Sequence, residues 1–123
     1  MKILIVEDSE LIRNHLVCLL SLVAGVNEVG VAGSHEHARL YVKIESPDVL
    51  ILDIHLPDGN AIQAIKEFKQ EIPNVRIAML TNDASAFNRK KSSQMGAEWF
   101  FDKSTEYDQV LELISNLAGD TEA

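Results

Sequence analysis

The chain has a single cysteine, Cys18, among its 123 residues. No internal disulfide can form, which agrees with a reducing compartment. Also missing is any apolar run near the ~20 residues that a membrane-spanning helix needs. The first residues, Met1-Lys2-Ile3-Leu4-Ile5-Val6-Glu7-Asp8, hold an apolar stretch of only four before two acids. That is too short for a secretory signal, so the expectation is a cytoplasmic protein with no membrane association. Positive charge is scarce: eleven Lys and Arg face nineteen Asp and Glu, a formal net charge of −8. Such a surface repels a phosphate backbone and argues against direct nucleic-acid binding. The sequence has no linker, internal repeat or low-complexity segment.

What is present fits one domain. Hydrophobic residues make up 46% and charged residues 24%, which are ordinary globular values. The apolar runs Ile3-Leu4-Ile5-Val6, Val49-Leu50-Ile51-Leu52 and Ile77-Ala78-Met79-Leu80 do not alternate with polar residues. Both of their faces must be buried, as in a parallel sheet covered by helices. Val29-Gly30-Val31-Ala32 and Trp99-Phe100-Phe101 are two further strand candidates. Between the runs, apolar residues recur at spacings of three and four: Leu11, Ile12, Leu16, Leu19, Leu20 and Val23; Ala61, Ile62, Ile65 and Phe68; Val110, Leu111, Ile114 and Leu117. Ser34 and Thr105 (or Ser104) stand where helix N-caps belong, Asp58-Gly59 marks a turn before the third helix, and Gly96 closes the fourth. Strand and helix alternate five times, which predicts a single doubly wound α/β domain over residues 1–118. Residues 119–123 are left as a short tail.

Four of the five strands end in a chemically capable residue. The first ends in Glu7-Asp8, the third in Asp53, the fourth in Thr81, and the fifth in Lys103. The second runs into Ala32-Gly33. Ligands in open parallel sheets bind at the strand C-termini, at the switch point of strand order. That placement predicts the order 2-1-3-4-5, with the chemically blank strand at an edge and strands 1 and 3 about 4.8 Å apart. Each pair of carboxylates ~5 Å apart then repels by roughly 3 kcal/mol at an effective dielectric near 20. Such a cluster either protonates or holds a cation. A few hard oxygen ligands, with room for water and a phosphate oxygen, describe Mg²⁺. Lys103 and the Thr81 hydroxyl are suited to bind the oxygens of a transferring phosphoryl group, and Asp53 to attack it. Thr81 also stands where it could cap the fourth helix.

These residues, with the turn Leu56-Pro57-Asp58-Gly59, resemble the receiver domains of two-component response regulators, and the resemblance covers residues 1 to about 118. It implies a flavodoxin-like (βα)5 fold and a phosphorylation-controlled switch related to the stand-alone chemotaxis regulators. Asp53 would accept a phosphoryl group from a histidine kinase or histidine phosphotransfer protein. Glu7, Asp8, Asp53 and the backbone carbonyl of His55 would hold Mg²⁺. Lys103 would bind the phosphoryl group, Thr81 would be the switch hydroxyl, and Phe100 the switch aromatic. Output would pass to a protein partner through the face made by helix 4, strand 5 and helix 5. The chain would modify itself and would not be an enzyme with a released substrate.

The sequence departs from the family pattern in places. Lys103 is followed by Ser104 where the family mostly has proline, so the loop is either trans and differently shaped or strained. Asn82 replaces a usually small residue, and Phe100 has no hydroxyl to anchor it. The resemblance places His55 and Asp83 at the two positions that in such proteins flank the path of an attacking water, which implies that they set phosphate lifetime. Elsewhere, His35 and His37 read as a solvated helix face, Cys18 as a small core residue, and Arg89-Lys90-Lys91 as either a solvated face or a docking patch. Three other functions compete. A Mg²⁺-dependent phosphohydrolase would usually carry its nucleophile on the first strand. A dinucleotide-binding fold would need glycines where Glu7-Asp8-Ser9-Glu10-Leu11-Ile12 stands. A pseudo-receiver would bind partners without phosphorylation.

Overall fold

The computed structural model describes residues 1–122, with side chains described through Gly119. The elements in chain order are β1 (Lys2–Val6), α1 (Glu10–Leu20), β2 (Glu28–Ala32), α2 (His35–Glu45), β3 (Val49–Leu52), β4 (His55–Leu56), β5 (Gly59–Asn60), α3 (Ala61–Glu71), β6 (Arg76–Thr81), α4 (Ala86–Met95), β7 (Trp99–Asp102) and α5 (Tyr107–Glu122). Five strands form one sheet in the order β2-β1-β3-β6-β7, parallel throughout. Counted along the five apolar runs this is 2-1-3-4-5. The two remaining strands, β4 and β5, make a small antiparallel hairpin where a simple turn was expected.

Each central strand sends alternate side chains to opposite faces. Leu4, Val6, Leu50, Leu52, Ile77 and Met79 meet Val42, Ile62, Ile65 and Phe68 on one side. Ile3, Ile5, Val49, Ile51, Ala78 and Leu80 meet Leu16, Leu20, Val110 and Ile114 on the other. Both faces are therefore dry, and this explains why these strands show no polar alternation.

The helix starts follow local capping chemistry. Ser9, Ser34, Asn60 and Ser85 accept backbone N–H groups from the first turns of α1, α2, α3 and α4. Gly96 closes α4 at φ 118°, where a side chain would be strained. Several local expectations need correction. Ser104 and Thr105 do not cap α5: Ser104 donates both its N–H and its hydroxyl to Asp102 Oδ1, at 2.9 and 2.6 Å. The last helix continues through Glu122, past the tail start expected at Gly119, and Ala123 lies outside the described residues. Cys18 is exposed, and Leu11 is 81% exposed. The apolar stripe of α1 is centred on Leu16 and Leu20, so residues about 200° round the helix face water. His35 is buried, not solvated, and lies beneath the β4–β5 hairpin against Gly59. Among the described residues no helix is long and apolar enough to cross a membrane.

Candidate functional site

The register Val6↔Leu52 puts the ends of β1 and β3 side by side. Two backbone bonds continue this alignment past the strands: Glu7 N–H donates to Ala32 O at 2.9 Å, and Asp53 N–H to Val6 O at 3.0 Å. On the far side of β3, β6 delivers Thr81, and Lys103 N–H donates to Thr81 O at 3.0 Å. The sheet edge thus collects residues from four chain segments.

Lys103 is the hub. Its ammonium donates to Glu7 Oε1 and to Asp53 Oδ2 at 2.8 Å. The three side chains are 8%, 4% and 11% exposed. Glu7 Oε2 accepts the Ser9 N–H at 3.0 Å, which ties the acid to the capping residue of α1. Burial pushes the Glu7 carboxyl above the usual carboxylate range, against the pull of Lys103. Lys103 loses solvation as well, yet its bonds to Asp53 and Glu7 hold it above the ordinary lysine range. The ammonium therefore stays charged at neutral pH and lies between the two acids.

Glu7, Asp8 and Asp53 each bring a carboxylate oxygen within 4.8 Å of the others. These are hard oxygen donors, few in number, with Asp8 exposed to solvent. Such a set can take a small divalent cation that keeps part of its water shell. Arg13, which no motif singles out, fixes the acidic loop: its Nη1 donates to Glu7 O at 2.9 Å and Asp8 O at 3.1 Å.

The remaining residues surround this core. Thr81 is fully buried, and its Oγ1 accepts the Asp83 N–H at 3.1 Å. Ser85, not Thr81, caps α4. His55 Nε2 lies 2.6 Å from Asp83 Oδ2, with both side chains largely exposed, and Asn82 is exposed beside them. The Lys103–Ser104 peptide is trans. Phe100 is half-buried at the edge of the core. Arg89 is tied to Phe100 and Glu106, and all three residues of the basic run are exposed. An apolar groove of about 470 Å³ between α1 and α5 is lined by Leu11, Ile12, His15 and Tyr107.

Comparison with known proteins agrees with this geometry. Residues 3–115 match the family model of the response regulator receiver domain. The chain is 38% identical over 84 residues to the DNA-binding transcriptional activator DevR/DosR of Mycobacterium tuberculosis, covering 68% of this chain and 39% of that one. It is 25% identical over 113 residues to the transcriptional regulatory protein LnrK of Bacillus subtilis, covering 92% of this chain and 51% of the relative. The chain thus spans about half or less of the length of these relatives. A CheY-like response regulator receiver domain protein from Methanospirillum hungatei superposes with a TM-score of 0.87 at 26% identity, over 98% of this chain and 95% of that one. A signal receiver domain of a DNA-binding response regulator from Colwellia psychrerythraea shares the fold with a TM-score of 0.88 at 21% identity, over 97% and 98% of the two chains. With residues 3–115 matched by the family model, nearly its whole length, the chain belongs to the response regulator receiver domain family.

Proposed function

We propose that the chain is a phosphorylation-controlled signalling switch in which Asp53 takes a phosphoryl group from a histidine kinase or a histidine phosphotransfer protein. The observation that carries this reading is the Lys103 ammonium spanning Asp53 and Glu7, with Asp8 in the same cluster. In the transfer, an Asp53 carboxylate oxygen forms the O–P bond as the N–P bond of the phosphohistidine breaks, its electron pair returning to the imidazole. Lys103 is placed to balance the negative charge that gathers on the phosphoryl oxygens. Glu7, Asp8, Asp53 and the carbonyl of His55 would hold Mg²⁺, which when bound neutralises phosphoryl charge.

The switch follows from Thr81. Its hydroxyl oxygen accepts the Asp83 N–H, which leaves the O–H free to donate. A phosphoryl group on Asp53 offers stronger, charged acceptors, so Thr81 turns toward it and carries the loop after β6 with it. Phe100 then turns inward, and the face formed by α4, β7 and α5 changes. The acidic surface, with a net charge of −8, supports an output through protein contact. In this reading the chain catalyses its own modification and is not an enzyme acting on a released substrate.

Incubation with Mg²⁺ and acetyl phosphate, followed by intact-mass measurement, tests the proposal. The wild type gains one phosphate and Asp53→Asn gains none. A wild type that never gains mass is a pseudo-receiver. Steady release of phosphate from many phosphomonoesters would mark a hydrolase instead.

A further inference from the structure

Helix α4 has little apolar anchorage. Of Ala86–Met95, Ser92 alone is buried, while Met95 packs against the core from the last turn and Phe87 is 74% exposed. Its first turns are held by polar ties. Asn88 Nδ2 donates to Asp83 O at 3.0 Å, joining the helix to the loop that carries Thr81. Arg89 joins it to the sheet.

The Arg89 guanidinium carbon lies 4.8 Å from the centroid of the Phe100 ring. Nη1 donates to the Phe100 carbonyl at 3.4 Å, and Nη2 to Glu106 Oε1 at 3.0 Å. The same Glu106 oxygen accepts the Asp102 N–H at 3.1 Å, so one carboxylate fastens α4 to the end of β7, next to Lys103. Arg89, ahead of the Asp102 N–H, holds the Glu106 carboxyl below the usual range. Phe100 and Arg89 also border a small cavity of about 60 Å³ with Ala97 and Trp99. Ser92 Oγ lines it, buried and without a hydrogen-bond partner among the described residues. The packing beside the ring is therefore loose, and the ring position depends on what covers its face.

We propose that Arg89 is the positioning residue for the switch aromatic. Its guanidinium, braced by Glu106, holds Phe100 half-exposed in the unphosphorylated protein. A tyrosine can be held through its hydroxyl; a phenylalanine offers only its π face and its backbone, and Arg89 engages both. The contact with the ring face adds stability to the resting arrangement alone, because a ring that turns inward leaves the guanidinium. Releasing the clamp therefore favours the arrangement that phosphorylation favours, and by linkage it favours phosphorylation. This last step rests on the switch reading given above.

The test uses the whole chain with Arg89→Ala, Arg89→Lys and Glu106→Gln. Two readouts are taken: the ¹H–¹³C resonances of the Phe100 ring without phosphodonor, and the rate of phosphate uptake from acetyl phosphate with Mg²⁺. In Arg89→Ala and Glu106→Gln the ring signals move toward those of the phosphorylated wild type, and uptake rises about 2–10-fold. Arg89→Lys, which keeps the charge but not the planar fork, falls between them and the wild type. Loss of melting temperature with unmoved ring signals would mean a purely structural bridge and overturns the proposal. So does wild-type uptake in both clamp variants. If the wild type itself takes up no phosphate, the switch reading fails, while the ring signals still decide whether Arg89 holds Phe100. Should Arg89→Ala not fold, Glu106→Gln opens the same clamp from the other side.

Discussion

His55 Nε2 lies 2.6 Å from Asp83 Oδ2, so the residue two past Asp53 is joined to the residue two past Thr81. The bond runs between the two loops that must move independently if Thr81 is to leave the Asp83 N–H for a phosphoryl group. Both side chains are more than 40% exposed, at 64% and 44%, so the pair adds little to global stability. Its effect belongs to the loops.

Asp83→Ala is expected to leave the melting temperature nearly unchanged and to lengthen the life of the phosphorylated state, because the tie opposes the loop movement that Thr81 must make. A net hydrogen-bond contribution of about 0.5–1.5 kcal/mol corresponds to a change of about 2–10-fold. His55→Ala gives a similar effect, and the double variant adds nothing further, since both remove one bond. Decay of the phosphorylated mass after removal of acetyl phosphate measures this. Additive effects in the double variant would show that the two residues act separately.

The acidic cluster makes a prediction about metal. Asp8→Asn removes one of the three carboxylates that converge within 4.8 Å. Mg²⁺ affinity should fall about tenfold or more, read by titration calorimetry. Chelation of Mg²⁺ should also stop phosphate uptake from acetyl phosphate. An unaltered Mg²⁺ titration in Asp8→Asn speaks against the pocket.

A third prediction concerns pH. The Asp58 carboxylate accepts the N–H of His35 at 2.9 Å and of Glu36 at 3.1 Å, placing an anion at the start of α2. The His35 bond, ahead of the Glu36 bond, holds Asp58 below its ordinary value of 3.8. A carboxylate lowered on folding stabilises above its unfolded value and loses that contribution as pH falls through the lower folded one. Asp58→Ala should therefore melt a few degrees lower than wild type at neutral pH, and the gap should close as pH falls below 3.8. Thermal melts at the two pH values decide this; an equal gap at both would mean that the ionised carboxylate is not the stabilising feature.

Part of the fold and of the acidic site could be read without coordinates. Strands β1, β3 and β6 announce themselves as apolar on both faces, which only a sheet covered on two sides accommodates. The order β2-β1-β3-β6-β7 was legible from where the chemistry falls, because Glu7, Asp8 and Asp53 are useful together only if β1 and β3 are neighbours. The exposure of Cys18 follows from helical period alone, since it lies two residues from Leu16, on the far side of α1, and not in the core where its residue type alone would put it. His35 was not legible, since its burial comes from the β4–β5 hairpin folding over the first turn of α2. Nor was Glu106, which meets Arg89 from across β7.

The sequence by itself determined the alternation of strand and helix, the two buried faces of the sheet, and which acids and which lysine end its strands. These follow from local period and from residue type, and neither depends on distant parts of the chain. Only the tertiary structure decided that Lys103 bridges Glu7 and Asp53, that Thr81 is held by the Asp83 N–H, that His55 meets Asp83, and that Arg89 covers Phe100. Each of these contacts joins side chains whose approach is fixed by loop conformation and by the rotation of a helix on the sheet. Such quantities are set by the packing of the whole core and leave no mark in the spacing of the residues concerned.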